Sequence, residues 1–349
     1  MSSARGVTIG TLRLGGGAPV RVESMLKSRL EEPDACLREI DALDRAGCEL
    51  VRAAFPRAEL RDCLRLLCAR STLPIMADIH FSYRLAIEAV ACGCAAIRIN
   101  PGNMGGDGLL EVLDAAREKG VVIRIGANGG SLSHRQIEAC GGDRAAALAA
   151  AVEEQLAPLA EKGFADIILS AKSSSVRDTI RANQLLAQRH PYPLHIGITE
   201  AGPGMDGAVK SATGLGILLA QGIGDTIRVS LTGPSRDEVD VGYAILRALD
   251  LRRRGIELIS CPTCGRRRVE VVALVERVRR ILPDHLPDGT TVAVMGCEVN
   301  GPKEAAGADI GIAGTEKGFV LFRRGKPVAT GTADALEEAL GNLLKDFLP

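Results

Sequence analysis

The chain has 349 residues, of which 46% are hydrophobic, so it can form a large domain and a smaller one with their own cores. Its 43 Lys and Arg residues balance 43 Asp and Glu residues, which disfavours a general binder of nucleic acids or membrane surfaces. The N-terminus does not resemble a secretory signal and no apolar run reaches about 18 residues, so we expect a cytoplasmic protein.

Eight short β-rich segments alternate with helical segments over the first 250 residues. Each segment ends in polar residues and is followed by a stretch rich in Ala, Leu, Arg and Glu. The predicted strands span residues 20–25, 48–55, 74–81, 95–100, 121–128, 166–172, 193–201 and 225–231. Eight strand–helix units predict a parallel (β/α)8 TIM barrel. An open doubly wound sheet is the alternative, but no G-x-G-x-x-G turn follows the first strand.

The pattern changes near residue 255. Further strands are predicted at 255–260, 291–297, 308–314 and 318–324, with helices at 266–282 and 333–348. These elements predict a second, small α/β domain that is separate from the barrel. We therefore assign residues 1–250 to the barrel and 256–349 to the second domain, with the sequence LRRRG at 251–255 as the linker.

Charged and polar side chains stand at the carboxyl ends of the predicted barrel strands, where enzymes of this fold place their active sites. Residues two apart on a strand face the same side, which pairs Asp78 with His80 and Arg98 with Asn100. The strand-end set is Arg52, Asp78, His80, Arg98, Asn100, Arg124, Asn128, Lys172, Thr199, Glu200, Arg228 and Ser230. Lys210 joins it from a position near the start of a predicted helix, an end that favours anions.

This concentration of cations indicates the ligand. Like charges that share one cavity repel each other, so an anion is needed to offset them, and guanidinium groups match phosphate oxygens in geometry and charge. The strand ends therefore predict a site for a small phosphate ester or diphosphate. The alternative, that each arginine is a scattered surface charge, does not explain why so many occupy equivalent strand ends.

Three cysteines of the second domain have a spacing typical of a metal centre. Cys261 and Cys264 form C-P-T-C, Cys297 ends a later predicted strand, and Glu304 lies seven residues beyond it. The pattern suits an iron–sulfur cluster, a zinc ion or a redox-active dithiol. Structural zinc usually takes four Cys or His ligands, and the domain's only histidine, His285, lies in a predicted loop. In a cubane cluster, three thiolates leave one iron for a different ligand.

Seven more cysteines lie in the first domain. Most fall in segments predicted to be helical or buried. Cys92-Gly-Cys94 resembles a ligand pair, but small buried side chains are the simpler interpretation.

Eight motifs, in a match that runs from about residue 20 to 315, resemble those of the family of bacterial 4-hydroxy-3-methylbut-2-en-1-yl diphosphate synthases. In chain order they are MADIHF, RINPGN, RIGANGGSL, GITEAG, KSATGLG, GDTIRVSL, SCPTCGR and MGCEVNGPKEA. The resemblance implies a TIM barrel followed by a 4Fe–4S domain similar to those of sulfite reductases. It also implies a homodimer in which the cluster domain of one subunit closes over the barrel of the other.

The resemblance further implies a reaction and residue roles. The reaction is the reductive opening of 2-C-methyl-D-erythritol 2,4-cyclodiphosphate, with electrons from flavodoxin or ferredoxin. Cys261, Cys264, Cys297 and Glu304 would hold the cluster. Asp78, His80 and Glu200 would lie near the carbon skeleton, with Glu200 as the candidate for proton transfer. The diphosphate would be held by Arg52, Arg98, Asn100, Arg124, Asn128, Lys172, Lys210, Arg228 and Ser230.

The chain departs from the family's usual motifs at a few positions. Glu23 stands where the family usually has Gln, which adds a carboxylate near the expected phosphate site. Ser173, Glu298 and Lys303 are further departures close to the two sites. A pterin- or phosphate-binding TIM-barrel transferase with a structural zinc domain is the competing function, since the barrel also resembles those of dihydropteroate synthases. A non-catalytic electron carrier would explain the cysteines but not the arginines.

Overall fold

The computed structural model describes residues 3–80, 82–100, 106–283, 286–297 and 306–347. The chain divides into two units, Met1–Arg252 and Arg253–Pro349. No helix in these described ranges is both long enough and apolar enough to cross a membrane.

The first unit is built on a parallel barrel of eight strands. The strands of the whole unit, including two separate two-stranded sheets, β1–β2 and β10–β12, are β1 (Gly6–Ile9), β2 (Leu12–Gly15), β3 (Arg21–Met25), β4 (Leu50–Ala54), β5 (Ile75–Asp78), β6 (Ala96–Ile99), β7 (Val122–Asn128), β8 (Ile167–Lys172), β9 (His195–Ile196), β10 (Gly202–Pro203), β11 (Thr226–Ile227) and β12 (Leu231–Thr232). Strands β3 to β8 pair in chain order, and β11 and β9 continue the sheet on the other side of β3. A parallel bridge between Leu169 and Leu194 closes the ring. The predicted TIM barrel is therefore confirmed.

Nine helices are described in this unit. They are α1 (Pro33–Ala46), α2 (Arg61–Arg70), α3 (Tyr83–Ala91), α4 (Gly106–Lys119), α5 (His134–Ala139), α6 (Arg144–Glu161), α7 (Val176–Arg189), α8 (Gly204–Ala220) and α9 (Ser235–Ala248). Their packing follows from apolar residues spaced three and four apart. In α1, for example, Cys36, Ile40 and Leu43 are buried, Pro33 starts the first turn, and Gly47 ends the helix in a left-handed conformation.

The sequence analysis missed the hairpin formed by β1 and β2. A two-residue turn at Gly10 and Thr11 joins these strands, and Gly10 has a positive φ of 60°. Val7, Ile9 and Leu14 pack against side chains from the barrel strands, namely Leu50, Met76, Ala96, Val122 and Ile168. The hairpin thus contributes its own apolar cluster to the barrel, although its four-residue strands are too short for a clear periodic signal.

The second unit is a five-stranded mixed sheet with two helices among its described residues. The elements are β13 (Glu257–Ser260), α10 (Val271–Ile281), β14 (Thr291–Met295), β15 (Ile310–Thr315), β16 (Gly318–Arg323), β17 (Lys326–Gly331) and α11 (Leu336–Leu344). The sheet runs in chain order, with β13, β14 and β15 parallel and the last two strands antiparallel. Val278, Val292, Ile312 and Leu340 lie in its apolar core.

Two sequence predictions for this unit were wrong in detail. The helix predicted over 266–282 spans only Val271–Ile281, so Cys264 lies in the segment before the helix. Strand β17 was missed because it lies at the sheet edge, is largely exposed and carries Lys326 and Pro327. Its sequence therefore lacks the apolar alternation that marks a half-buried strand.

Candidate active site

A cavity of about 230 Å³ lies at the carboxyl ends of the barrel strands. Its lining residues are Arg52, Asp78, His80, Arg98, Arg124, Ile125, Gly126, Asn128, Ser170, Lys172, Thr199, Arg228 and Ser230. Apart from Ile125, Gly126 and Ser170, all of these belong to the set predicted from strand ends. The fold thus brings most of the predicted side chains together, while their roles in binding remain predictions.

Three predicted residues do not line this cavity. Asn100 faces a neighbouring cavity of about 460 Å³ together with Gln136 and Gln155. Lys210 is half-buried and lies in the second turn of α8, which begins at Gly204. Glu200 is exposed and has a φ of 52°, a left-handed conformation that non-glycine residues seldom adopt. Such backbone strain is concentrated at functional sites, which keeps Glu200 a candidate functional residue.

Two glycines make room for the polar side chains of the cavity. A Cβ atom at Gly197 would lie 2.5 Å from the carbonyl oxygen of Arg228 and 3.1 Å from Nζ of Lys172. A Cβ atom at Gly126 would lie 2.4 Å from the carbonyl oxygen of Ser170. Any larger residue would therefore push apart the strand ends that carry the cations.

Asp78 holds three of the lining side chains from one position at the end of β5. Its carboxylate lies 3.8 Å from Nε of Arg52, 3.5 Å from NH1 of Arg98 and 3.4 Å from Nε2 of His80. Burial raises the pKa of Asp78, but the hydrogen bond with His80 and the charges of Arg52 and Arg98 outweigh it and place this pKa well below its usual range. Asp78 is therefore ionised and braces the arginines.

A buried polar layer lies behind the cavity. NH1 of Arg124 donates a 2.5 Å hydrogen bond to Oε2 of Glu23, and both side chains are almost fully enclosed. Nε2 of His195 lies 2.7 Å from Nζ of Lys172, and Nδ1 of His195 contacts the hydroxyl of Thr226. The unusual carboxylate of Glu23 is thus the partner of a predicted phosphate-binding arginine.

The sequence analysis did not propose His195 as a site residue. The sequence does contain a pattern that points to His195. His195, Gly197 and Thr199 are spaced two apart on one predicted strand, so His195 shares a face with the predicted site residue Thr199. Glu238 was also missed. This buried carboxylate in the first turn of α9 lies 3.5 Å from Nε of Arg228 and accepts a hydrogen bond from Ser24.

Burial and neighbouring cations disfavour charge on Lys172 and His195. Burial, followed by the charges of Arg124, Arg52 and Arg228, lowers the pKa of Lys172 well below its usual value, and Glu23 offsets only part of this. Burial and the same cations also lower the pKa of His195. A neutral imidazole that donates Nδ1–H to Thr226 can accept at Nε2 from Lys172.

Unpartnered polar atoms show what the cavity lacks. Among the described residues, NH2 of Arg124 and Nε of Arg228 are buried and have no hydrogen-bond partner, as does Oε1 of Glu23. Buried donors are nearly always paired in proteins. Nε of Arg228 has the carboxylate of Glu238 at 3.5 Å, so the clearer case is NH2 of Arg124. An arginine donor without an acceptor, on a wall that carries four arginines and one aspartate, indicates a site for an anionic ligand.

The three cysteines of the second unit lie near the carboxyl ends of two paired parallel strands. Cys261 directly follows β13, and Cys297 comes two residues after β14. The amide of Gly296 donates to Sγ of Cys261 at 3.2 Å, and the amide of Arg268 donates to the carbonyl of Gly296 at 2.7 Å. The segment that contains Cys264 therefore turns back toward the end of β14. Cys297 is buried, Cys261 half-buried and Cys264 exposed.

Two family models match nearly the whole chain. The GcpE TIM-barrel domain matches residues 4–243, and the GcpE protein C-terminal domain matches residues 257–346.

The chain belongs to the GcpE family.

Similar proteins extend this assignment. The chain is 46% identical over 345 residues to a protein of Maridesulfovibrio salexigens, covering 99% of this chain and 94% of that protein. It is 45% identical over 350 residues to a protein of Geobacter sulfurreducens, covering 99% of each. Both relatives are named 4-hydroxy-3-methylbut-2-en-1-yl diphosphate synthase (flavodoxin). The structure of 7,8-dihydropteroate synthase from Vibrio fischeri shares the fold alone, with a TM-score of 0.50 and 15% identity over 71% of this chain and 99% of that one.

The cysteines of the GcpE C-terminal domain provide ligands suited to an iron–sulfur cluster. Thiolates are the usual ligands of such clusters, and the amide of Gly296 that donates to Sγ of Cys261 would stabilise a thiolate there. In the described parts of the chain, no three Cys, His, Asp or Glu side chains lie close enough together to hold a metal ion. Glu304, the predicted fourth ligand, lies outside the described residues, as do Glu298 and Lys303.

Proposed function

We propose that this chain is a 4-hydroxy-3-methylbut-2-en-1-yl diphosphate synthase that takes electrons from flavodoxin. The cavity of converging cations carries the proposal, because four arginines against one aspartate, with a buried donor of Arg124 unpartnered, call for a phosphate-bearing ligand. Full-length identity of 45–46% to proteins named for this activity supports the same conclusion. The substrate is the cyclic diphosphate 2-C-methyl-D-erythritol 2,4-cyclodiphosphate, whose ring is opened by two electrons and a proton with loss of water.

The competing transferase has weaker support. The likeness to dihydropteroate synthase concerns the fold and is accompanied by only 15% identity. The GcpE models match both units of the chain, including the one that holds Cys261, Cys264 and Cys297. The family assignment therefore favours the reductive reaction.

The barrel residues would bind the diphosphate and stabilise the charge that develops on it. Opening the ring breaks a carbon–oxygen bond and leaves the electron pair on a phosphate oxygen. Arg98, Arg124 and Arg228 would offset that new negative charge within a partly enclosed cavity, where such interactions are strong. Asp78 would keep Arg52 and Arg98 in place, and Asn128 and Ser230 add uncharged hydrogen-bonding groups.

The second unit would supply electron transfer. Cys261, Cys264, Cys297 and Glu304 would hold a 4Fe–4S cluster, which when bound passes single electrons from flavodoxin. We also propose that the working form is a homodimer, as the family resemblance implies. Light scattering would then report twice the chain mass of 36.7 kDa.

Glu200 is proposed to deliver the proton. Replacing Glu200 with Gln is expected to lower kcat by about 100-fold, a typical loss for a general acid, while KM stays within a few-fold because Glu200 does not line the cation cavity. Steady-state kinetics measures both constants. Glu161→Gln, an exposed carboxylate at the end of α6, is the matched control. An unchanged kcat in Glu200→Gln would remove Glu200 from the mechanism.

Binding of a diphosphate is expected to take up a proton at Lys172. In the ligand-free cavity, burial and the charges of three arginines lower the pKa of Lys172 well below its usual value, which disfavours the charged amine. A bound anion favours the charged amine and raises that pKa. Affinity for inorganic pyrophosphate should therefore fall as pH rises between the free-state and bound-state pKa values, by up to about tenfold per pH unit for one linked proton.

Calorimetry in buffers of different ionisation enthalpy would measure this uptake. Lys172→Met should abolish it, whereas Lys119→Gln, an exposed lysine on α4, should retain it. Proton uptake that persists in Lys172→Met would show that another group, such as His195, takes up the proton. Affinity that does not vary with pH would contradict the linkage.

A further inference from the structure

A pair of cysteines in the barrel wall has no part in the proposed reaction. Cys68 lies near the end of α2, and Cys94 lies in the turn between α3 and β6. Their Sγ atoms are 3.5 Å apart, within hydrogen-bonding distance for sulfur. Since Cys94 precedes β6, the pair belongs to the amino-terminal side of that strand, while the cation cavity forms at the carboxyl ends.

The two thiols differ in exposure and acidity. Cys68 is half-buried, whereas Cys94 is only 2% exposed. The hydrogen bond from Cys94 lowers the pKa of the Cys68 thiol despite its burial, and the same bond together with burial raises the pKa of Cys94. The difference in exposure makes Cys68 the thiol that an oxidant can reach, and Cys94 is a protected thiol held against it.

Nearby groups do not compete for this pair. The thiol of Cys92 donates to the carbonyl of Arg61 at 3.3 Å, and burial raises the pKa of Cys92. No third Cys, His, Asp or Glu side chain among the described residues converges with Cys68 and Cys94 to complete a metal site. Two thiols in contact without further ligands suit thiol–disulfide chemistry better than metal binding.

We propose that Cys68 and Cys94 form a redox-modification site, which a hydroperoxide converts reversibly into an intramolecular disulfide. In the first step the Cys68 thiolate attacks a peroxide oxygen. The sulfur–oxygen bond forms, the oxygen–oxygen bond breaks, and the departing hydroxide or alkoxide takes up a proton. Cys68 is oxidised by two electrons to a sulfenic acid, and the peroxide is reduced.

In the second step the sulfur of Cys94 attacks the sulfenyl sulfur of Cys68. The sulfur–sulfur bond forms, the sulfur–oxygen bond breaks, and water leaves with the proton of Cys94. Because the two sulfurs are already in contact, this step needs an approach of only about 1.5 Å. Capture as a disulfide stops Cys68 from advancing to sulfinic acid, which thiols do not reverse. The modified barrel therefore remains repairable by a thiol reductant.

The test uses the full chain, reduced and then treated with hydrogen peroxide. After alkylation under denaturing conditions, peptide mapping by mass spectrometry should find a peptide joining Cys68 to Cys94, about 2 Da lighter than the two reduced peptides, and dithiothreitol should reverse it. Mapping residue by residue separates this product from oxidation at Cys261, Cys264 or Cys297. The outcome is independent of whether the chain proves to be a diphosphate synthase.

Three variants sharpen the test. In Cys94→Ser, Cys68 should instead gain about 32 Da as sulfinic acid, because no resolving thiol remains. In Cys68→Ser, the half-exposed position least disruptive to the fold, Cys94 should stay alkylatable. Cys92→Ser is the matched control and should still form the disulfide. The proposal is overturned if both thiols of the unmodified chain are alkylated after the peroxide has been consumed, or if Cys68 pairs with another cysteine.

Discussion

Replacing Arg124 with Met is expected to abolish turnover and to lower the free energy of unfolding by about 3 kcal/mol. The loss of turnover and the loss of stability have the same origin, because Arg124 has two roles. Arg124 lines the cation cavity, and it is also the partner of the buried carboxylate of Glu23. Removing one member of a buried ion pair leaves the other charge enclosed and uncompensated, which costs more than the pair contributes.

The double variant Glu23→Gln with Arg124→Met separates the two effects. It removes the stranded charge, so most of the lost stability should return while turnover stays absent. Glu23→Gln alone restores the residue usual in the family and should remain active. Denaturant unfolding of the four proteins, read as a double-mutant cycle, gives the coupling between the two side chains. A double variant as unstable as Arg124→Met would show that the ion pair is not the cause.

Replacing Cys297 with Ser is expected to abolish turnover and to deplete the purified protein of iron and sulfide. Cys297 is the buried thiol at the end of β14, beside the amide that donates to Cys261. Serine is a poor ligand for iron–sulfur clusters because it lacks a readily formed soft thiolate. Metal and sulfide analysis after anaerobic purification measures the loss directly.

Cys140→Ser provides the matched control, since Cys140 is a half-buried cysteine of the first unit at the end of α5. Iron, sulfide and turnover should all match those of the unmodified chain. Full activity in Cys297→Ser, or unchanged iron in that variant, would contradict the assignment of Cys297 as a ligand.

The barrel was predictable because its signals are local. Each strand carries a run of apolar residues that ends in polar ones, and the strands alternate with amphipathic helices, as at Cys36, Ile40 and Leu43 in α1. Parallel strands of a barrel end at one face, so polar strand ends also predicted where Arg98, Arg124 and most of their neighbours meet. Most of the charged and polar side chains that line the cavity thus followed from strand position alone.

The buried layer was harder to predict because its contacts join distant segments. Glu23 and Arg124 are 101 residues apart, and Glu238 reaches Ser24 across 214 residues. Strand periodicity indicates which face of a strand a residue occupies, but not which side chain lies opposite. The pairing of Lys172 with His195 likewise depends on barrel closure, which brings β8 beside β9. The β1–β2 hairpin and β17 were missed because their own short or exposed strands lack a clear apolar alternation.

The most direct test of the proposed function is an anaerobic turnover measurement on the reconstituted chain. The protein is supplied with iron and sulfide, then with 2-C-methyl-D-erythritol 2,4-cyclodiphosphate and reduced flavodoxin, and the products are identified by NMR. We expect 4-hydroxy-3-methylbut-2-en-1-yl diphosphate to form in proportion to the flavodoxin oxidised, two electrons for each molecule. A chain that binds iron and sulfide yet leaves the cyclic diphosphate unchanged, or one that assembles no cluster, would contradict the proposed function.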